Sequence, residues 1–219
     1  MTAGPRLIEP RDVAAIARTI EAGGVVLLPT DTVYGLCCDP TNMSAVNTIF
    51  DIKGRTAEVP LATLVSGSSA AIQIVDETRC AFDLELIDSP EWPGELTLVL
   101  PMKPRSGFAD GVGTEGDAPT VGLRRPAPSL IADLLDRCGV LAATSANAHG
   151  EPTHSAPSLI LDGLARRAAG IAAYVDGGPL DSPASAVVSV DELGWTMLRD
   201  GRLGASDVSQ LLRLDRSDS

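Results

Sequence analysis

Apolar and polar residues along the chain alternate between the spacing of a helix face and that of a buried strand. Val13, Ile16, Ala17 and Ile20 recur at helical intervals, and the continuous apolar run Val25–Leu28 follows after two glycines. The alternation continues along the rest of the chain, which predicts a mixed α/β sheet with flanking helices. The predicted strands cover residues 25–28, 61–65, 96–100, 120–124, 141–144, 172–175, 186–190 and 195–199, and the predicted helices cover about 13–20, 44–53, 68–75, 79–87, 128–138, 156–169 and 206–214.

The most informative segment is the end of the first predicted strand, where the apolar run stops in hydroxyl groups and one carboxylate. Pro29 cannot donate to a strand ladder, and Thr30, Asp31 and Thr32 follow it before Gly35. Ligands of open α/β sheets bind where strands end, so this exit is a candidate binding site. An ordinary strand-to-loop exit with turn-forming Thr and Asp would give the same pattern.

Two cations flank the predicted end of the second helix, for which Ser44 is the expected N-cap and Gly54 the expected C-terminal glycine. Lys53 offers a compact point charge and Arg55 a planar fork, a combination that suits polyphosphate oxygens. Cations near a helix C-terminus also complement the helix dipole, so this pair alone does not establish a site.

Two further strand ends carry polar side chains. Ser145 and Asn147 follow the strand 141–144 and can donate to phosphate or ribose oxygens without adding charge, although a Ser/Asn turn would look similar. The strand 120–124 ends in Arg124 and Arg125, one of which could hold a carboxylate through two parallel hydrogen bonds. A solvated pair of arginines is the alternative interpretation.

The composition limits the classes of partner. The 219 residues carry 17 basic and 29 acidic side chains, which gives a formal net charge of −12. Nucleic-acid binding without sequence preference requires several Lys and Arg side chains on phosphates, so we expect no general nucleic-acid surface. A small anionic ligand is compatible with this balance, because a few converging cations can hold it inside an acidic protein.

The chain shows no run of roughly 18 apolar residues and no N-terminal signal peptide, so we expect a cytoplasmic protein without membrane contact. Its four cysteines, Cys37, Cys38, Cys80 and Cys138, lack Cys-x-x-Cys spacing, and the chain has two histidines. This pattern favours buried or half-buried free thiols over a zinc site, and we assign no protein side chain to a metal ion.

The interval 103–119 is the longest predicted loop, and its Gly, Asp and Pro content is typical of a mobile flap. Its segment Gly111-Val112-Gly113-Thr114-Glu115-Gly116 has the letters of a dinucleotide-binding fingerprint. No apolar strand precedes it and no predicted helix follows it, so we interpret it as a flexible acidic loop rather than a cofactor site.

An ordered set of short motifs resembles the YrdC-like family, whose members include the threonylcarbamoyl-AMP synthases and the YciO-like proteins. The motifs span about residues 25–203 in the family's order, which makes the set specific although each motif alone is weak. They are Pro29-Thr30-Asp31-Thr32-Val33-Tyr34-Gly35-Leu36, Lys53-Gly54-Arg55, Pro60-Leu61, Trp92-Pro93-Gly94-Glu95-Leu96-Thr97-Leu98-Val99-Leu100, Val121-Gly122-Leu123-Arg124-Arg125-Pro126, Ser145-Ala146-Asn147, Gly150-Glu151-Pro152, Val187-Val188 and Leu198-Arg199-Asp200-Gly201.

The resemblance implies a single YrdC-like domain over residues 1–219, with a core of about 7–214, and an open twisted sheet around a deep concave site. It also implies the short form of the family, without the additional C-terminal domain of the long forms. The implied reaction joins L-threonine, bicarbonate and ATP to give threonylcarbamoyl-AMP and pyrophosphate. Separate downstream proteins would then use the product to modify tRNA.

The resemblance also implies roles for individual residues. Those assigned to the nucleotide are Lys53, Arg55, Ser145, Asn147, Ser185 and Arg199, with Mg²⁺ accompanying the ATP. Lys53 and Arg55 are in addition the expected catalytic residues, and Thr30, Thr32 and Arg124 are assigned to threonine, the last through its carboxylate. Such a reaction needs positioning and charge stabilisation rather than a Ser-His-Asp or Cys-His arrangement.

The chain departs from the family pattern at several positions. Thr56 replaces the usual proline, Ser189 the usual aspartate and Asp200 the usual proline, and the segment 62–64 lacks the common histidine. A YciO-like protein that binds ATP but has another or weaker acceptor reaction is therefore the alternative hypothesis. An RNA-binding module is the third, and the acidic charge balance argues against it.

Overall fold

The computed structural model describes residues 4–54, 59–104, 107–127 and 129–212, and it arranges them as one ten-stranded sheet with helices packed against it. The strands are β1 (Arg6–Ile8), β2 (Val25–Leu28), β3 (Gly35–Cys38), β4 (Ala62–Val65), β5 (Leu96–Pro101), β6 (Thr120–Arg124), β7 (Val140–Ser145), β8 (Ile171–Val175), β9 (Ala186–Asp191) and β10 (Gly194–Arg199). The α-helices are α1 (Val13–Glu21), α2 (Met43–Lys53), α3 (Ser68–Ile74), α4 (Leu130–Cys138), α5 (Pro157–Leu164) and α6 (Ala205–Leu212).

The strands lie in the order β1-β8-β2-β3-β7-β4-β6-β5-β9-β10, so the sheet is open, with β1 and β10 at its edges. The pairs β1–β8, β8–β2, β4–β6 and β5–β9 are parallel, and the other five pairs are antiparallel. The predicted mixed α/β fold is thereby confirmed. Each of the eight predicted strands is present, with boundaries that differ by at most one residue.

Strand β2 is buried on both faces, as its continuous apolar run predicts. Val25 and Leu27 pack in a cluster with residues of α2 and α5, whereas Val26 and Leu28 pack in a second cluster with residues of α1 and α4. The strand is therefore fixed by two layers of helices, and the polar residues after Leu28 leave the sheet from a rigid position.

Strand β5 differs from β2, because its two faces have different neighbours. Leu96, Leu98 and Leu100 are fully buried in a cluster that also contains Trp195 and residues of α3 and α6. Since successive side chains of a strand point to opposite faces, Thr97 and Val99 face away from this cluster. That opposite face is where the candidate site lies.

Of the two predicted boundary residues of α2, the C-terminal one is correct and the N-terminal one is wrong. Gly54 ends the helix in the left-handed conformation, with φ 63° and ψ 39°, as expected of a C-terminal glycine. The N-cap is Asn42 and not Ser44, because Asn42 Oδ1 accepts a hydrogen bond from Ala45 N–H at 3.0 Å. The helix thus begins one residue before the predicted N-cap.

The predicted helix over residues 79–87 is wrong. The chain forms two short 3₁₀ turns there, Glu77–Arg79 and Leu84–Asp88. Asp83 lies between them with an extended backbone, and its carboxylate accepts from Glu85 N–H at 3.0 Å. A short side chain that competes for local N–H groups interrupts a continuous helix, and the apolar spacing did not reveal this.

Two strands were not predicted. Strand β1 has three residues and pairs only with β8 at the sheet edge, so it carries almost no pattern. Strand β3 contains a glycine and two cysteines, but it is fully buried between β2 and β7. The sequence suggested a turn at Gly35, because the polar cluster immediately before it resembles a loop.

The predicted flap 103–119, of which residues 105 and 106 lie outside the described part, is packed against the body over part of its length, and its residues 114–118 are exposed. Ala109 and Val112 are buried, and Val112 forms a β-bridge with Leu61. In the fingerprint-like segment, Gly111-Val112-Gly113 is buried whereas Thr114-Glu115-Gly116 is exposed, so the first half is packed and the flexibility of the second half stays a prediction. In the described ranges, no helix combines the length and apolar character needed to cross a membrane.

The four cysteines are buried or half-buried free thiols, as predicted. Cys37 and Cys38 are fully buried, and all four thiols are free. Burial, with a smaller contribution from Asp39, raises the pKa of Cys38 to about 12, and burial raises the pKa of Cys37 further. The reactive thiolate is therefore scarce at both positions.

We predict that iodoacetamide at pH 8 labels Cys80 and Cys138 in the native protein but leaves Cys37 and Cys38 unlabelled. Mass spectrometry of tryptic peptides measures the labelled fraction of each thiol. The same treatment in denaturant is the control and should label all four. Rapid labelling of Cys37 or Cys38 in the native state would contradict the position of β3 inside the sheet.

Candidate active site

A cavity of about 500 Å³ lies against the sheet, lined by alternate residues of β4, β5 and β6, by the end of β7 and by Val187 of β9. Its floor consists of small residues, and a Cβ atom added to Gly122 would lie only 3.3 Å from Ala62 Cβ. The missing bulk of these side chains is what leaves space above the sheet. The small floor residues are Gly35, Ala62, Gly122 and Ala143.

Arg124, the last residue of β6, is fixed at one end of this cavity. Its Nε donates to Gly94 O at 2.7 Å, its Nη1 donates to Thr32 Oγ1 at 3.1 Å, and its Nη2 donates to Asp31 Oδ1. Asp31 is held in turn, because Oδ2 accepts from Ala127 N–H at 2.9 Å. Within the described residues, three of the five guanidinium N–H groups are used, which leaves two for a ligand carboxylate.

A second guanidinium faces the same cavity. Arg199, at the end of β10, donates from Nη2 to Ser185 O at 2.8 Å and to Ser185 Oγ at 3.2 Å. Burial lowers the pKa of Arg199, and burial followed by the charge of Arg199 lowers the pKa of Arg124 to about 10. Both side chains remain protonated at neutral pH, so this end of the cavity attracts anions.

Thr30 and Thr32 form a closed chain of hydrogen bonds beside Arg124. Thr30 Oγ1 donates to Val33 O at 2.6 Å and lies 3.1 Å from Thr32 Oγ1. Because the Thr30 hydrogen is already used, Thr32 must donate between the two hydroxyls, and it accepts from Arg124. Thr30 Oγ1 also accepts from Thr32 N–H at 3.1 Å, so both of its lone pairs are used. The pair can therefore offer a ligand only the remaining lone pair of Thr32, and it has no hydroxyl hydrogen left to donate.

Lys53 adjoins the cavity at Ser145. Ser145 lies four residues along β7 from Leu141, which is aligned with Arg124 through Leu64, so Lys53 is at the end of the cavity away from Arg124. The Lys53 side chain is 3% exposed, and Nζ donates to Ser145 O at 2.7 Å and to Asn147 Oδ1 at 2.8 Å. Ser145 lines the cavity, and its hydroxyl donates to Asn147 Oδ1 at 2.7 Å. The backbone N–H of His149 donates a hydrogen bond to the backbone carbonyl of Lys53, at the end of α2, at 2.9 Å. One cation, one hydroxyl and one amide thus converge where β7 ends and α2 ends.

The structure brings most of the predicted site residues together. Those that line the cavity are Thr30, Thr32, Arg124, Ser145, Ser185 and Arg199, and Lys53 and Asn147 adjoin it through Ser145. The predicted Arg55, together with Thr56, lies outside the described residues. The paired carboxylate Asp31, the glycine Gly94 and the hydroxyl of Thr97 were not assigned a role from the sequence.

One sequence signal could have found Thr97. It stands between Leu96 and Leu98 in an otherwise apolar strand, which places a hydroxyl on the face opposite the core. Gly122 and Arg124 show the same period of two in β6. Alternation of small or polar residues with core residues was therefore a better guide to the site than strand ends alone.

Comparison with known proteins finds similar sequences over most of the chain. The sequence profile of the Sua5/YciO/YrdC family, described as telomere recombination, matches residues 18–201. A Mycobacterium leprae protein, named provisionally as a threonylcarbamoyl-AMP synthase, is 34% identical over 92% of this chain and 88% of its own length. The threonylcarbamoyl-AMP synthase of Bacillus subtilis is 36% identical over 76% of this chain and 46% of its own length.

Solved structures show the same fold. Sua5 from Pyrococcus abyssi, crystallised in complex with L-threonine, superposes with a TM-score of 0.77 at 27% identity, covering 98% of this chain and 62% of that protein. This chain therefore spans about three fifths of the Pyrococcus protein. YciO from E. coli superposes with a TM-score of 0.73 over 97% of this chain and all of its own, but at 20% identity it supports the fold alone.

We predict that Gly94→Ala lowers the free energy of unfolding by about 2 kcal/mol or more, because overpacking and a disturbed buried ion pair are both costly. The added Cβ would stand 1.8 Å from Asp31 Oδ2 and 2.4 Å from Ala127 N. Urea denaturation followed by tryptophan fluorescence measures the change.

The control is Gly122→Ala, whose added Cβ would approach Ala62 Cβ at 3.3 Å on the open cavity floor. We expect this variant to lose less than about 1 kcal/mol, since one methyl group fits there after a small shift. Equal losses for the two variants would mean that Gly94 is not required for the contact between Asp31 and Ala127.

Proposed function

The chain belongs to the Sua5/YciO/YrdC family, and we propose that it is a threonylcarbamoyl-AMP synthase, which joins L-threonine, bicarbonate and ATP to give threonylcarbamoyl-AMP and pyrophosphate. The observation that carries this proposal is the division of one cavity into two ends. Arg124 supplies a fixed fork for a carboxylate at one end, and Lys53, Ser145 and Asn147 supply phosphate-binding groups at the other. An amino acid and a triphosphate would thus meet between them.

The amino-acid end suits the recognition of a zwitterion. The two unused N–H groups of Arg124 would bind the threonine carboxylate in a bidentate manner. The remaining lone pair of Thr32 would accept a hydrogen bond from the substrate amine, because this hydroxyl can only accept from a ligand. The amine is then held at a fixed distance from the carboxylate and directed away from Arg124.

The reaction would proceed in two steps that this arrangement can support by positioning. The neutral amine of threonine forms a C–N bond to the carbon of bicarbonate while a C–O bond of bicarbonate breaks, and the amine proton leaves with that oxygen as water to give the carbamate. With CO₂ in place of bicarbonate, the amine proton is released to solvent. A carbamate oxygen then attacks the α-phosphorus, and the bond to the β-phosphate breaks as pyrophosphate leaves. Lys53 would stabilise the charge on the phosphate oxygens, so the protein contributes orientation and electrostatic stabilisation.

ATP would bind with Mg²⁺ as its counterion. Among the described residues, no group of three or more His, Cys, Asp or Glu side chains could hold a metal ion. Mg²⁺ is commonly bound through substrate phosphates and water, so it would enter with the triphosphate. We further propose that the protein acts in the cytoplasm and passes its product to separate tRNA-modification proteins.

The proposal is tested by mixing the purified protein with ATP, Mg²⁺, L-threonine and ¹³C-bicarbonate. Mass spectrometry should detect labelled threonylcarbamoyl-AMP, and omission of any substrate should abolish it. ATP binding without threonine-dependent product would overturn the synthase assignment and favour the alternative in which the acceptor differs.

We predict that Lys53→Met reduces kcat/KM for ATP about 30-fold or more, because the loss of a buried charged partner costs about 2–5 kcal/mol. The control is Lys103→Met, which changes the only other lysine of the chain, whose Nζ donates to the carbonyl of Ile72. Steady-state kinetics at saturating threonine measures both. Equal kinetics for Lys53→Met and the wild type would exclude Lys53 from phosphate binding.

A further inference from the structure

Two buried hydroxyl groups line the cavity between the two guanidinium groups. Thr97 Oγ1 and Ser185 Oγ lie 2.8 Å apart, and both residues are at least 94% buried. Thr97 stands on β5, and Ser185 stands immediately before β9, which pairs in parallel with β5. Thr97 is therefore held within the sheet, and Ser185 is positioned by the strand that begins at the next residue.

A count of the hydroxyl hydrogens of Thr97 and Ser185 shows that one of them has no acceptor. The two hydroxyls carry two hydrogens, and the bond between them uses one. Ser185 Oγ also accepts from Arg199 Nη2 at 3.2 Å, which uses a lone pair and no hydroxyl hydrogen. Whichever hydroxyl donates to the other, one O–H finds no acceptor among the described residues. A buried donor without an acceptor is costly, so a ligand oxygen is the expected partner.

The neighbouring hydroxyl pair provides an internal comparison. Thr30 donates to Val33 O and Thr32 donates to Thr30, so both hydrogens of that pair are used within the protein. The Thr97–Ser185 pair differs in having one donor left over. The difference comes from the surroundings, since no carbonyl of the described residues accepts from Thr97.

The position of Thr97 indicates the charge of the ligand atom. Thr97 pairs with Val187 of β9, and Val187 pairs with Arg199 of β10. On its other side, Leu98 pairs with Leu123 in antiparallel register, so Thr97 lies beside Arg124. The unused O–H therefore stands between two guanidinium groups, where an anionic oxygen is favoured.

We propose that Thr97 is a further substrate-binding residue, and that with Ser185 it donates one hydrogen bond to an oxygen of a carboxylate-type anion. This inference rests on the proposed function. Two substrates of that reaction carry such an oxygen, namely the amino acid and bicarbonate. The cavity places Thr97 beside the arginine expected to bind the first, whereas the proposed phosphate-binding groups are at the Lys53 end. Under this proposal Ser185, which the family resemblance assigns to the nucleotide, contacts the carboxylate-type anion instead.

The test compares Thr97→Val, which keeps the shape and removes the hydroxyl, with Thr97→Ser, which keeps the hydroxyl. KM for L-threonine, bicarbonate and ATP and kcat are measured for each variant. Loss of a hydrogen bond to a charged oxygen predicts a rise of about 10-fold or more in KM for threonine or bicarbonate in Thr97→Val. KM for ATP should stay within about twofold, and Thr97→Ser should recover most of the loss.

Thr63→Val is the matched control. Thr63 is fully buried in β4, and its hydroxyl donates to Gly122 O at 3.0 Å, so it is satisfied within the protein. We expect this variant to unfold at lower urea concentration while its KM values remain those of the wild type. Calorimetric titration of Thr97→Val with L-threonine alone separates the two anions, because a weakened complex identifies the amino-acid carboxylate as the partner.

Unchanged KM values for threonine and bicarbonate in folded Thr97→Val would overturn this inference while wild-type activity remained intact. A rise confined to KM for ATP would overturn it as well, because the partner would then be a phosphate. Absence of product from the wild-type protein would instead refute the proposed function, so the two failures are distinguishable.

Discussion

The buried ion pair of Asp31 and Arg124 is the contact on which the site depends. Asp31 follows β2, in the half of the sheet that helices cover on both faces, and Arg124 ends β6, where one face is open to the cavity. A buried charge pair is favourable only when further hydrogen bonds satisfy its remaining groups. Ala127 N–H, Gly94 O and Thr32 Oγ1 supply them here. The pair thus ties three segments together and fixes the direction of one guanidinium.

This constraint explains how an acidic protein can hold anionic substrates. The net charge of −12 lies mostly on the surface, whereas the cavity brings together Arg124, Arg199 and, through Ser145, the ammonium of Lys53. Asp31 neutralises part of this charge, so one end of the cavity suits a single carboxylate rather than a triphosphate. The Lys53 end, with a hydroxyl and an amide beside it, suits the phosphates. In the proposed reaction, separation of these charges along one sheet face would orient the two substrates towards each other.

The sequence predicted the strands and helices correctly where the pattern of apolar residues was unambiguous. Val25–Leu28 predicted a strand buried on both faces, and the structure confirms it. Strand β3 escaped prediction because Gly35 and two cysteines carry no clear period, and Asp83 broke an apparent helix through a local hydrogen bond. The roles of Asp31, Gly94 and Thr97 depend on contacts between residues 30 or more positions apart, which a local pattern does not encode. Arg55 remains a prediction.

A crystal structure of the protein with L-threonine and a non-hydrolysable ATP analogue would test the central claim most directly, namely that one cavity holds the amino acid and the triphosphate at opposite ends. We predict that the threonine carboxylate lies about 3 Å from the guanidinium of Arg124, in bidentate geometry. The phosphate oxygens should contact Lys53, Ser145 and Asn147. Threonine bound away from Arg124, or a triphosphate bound outside this cavity, would contradict the account.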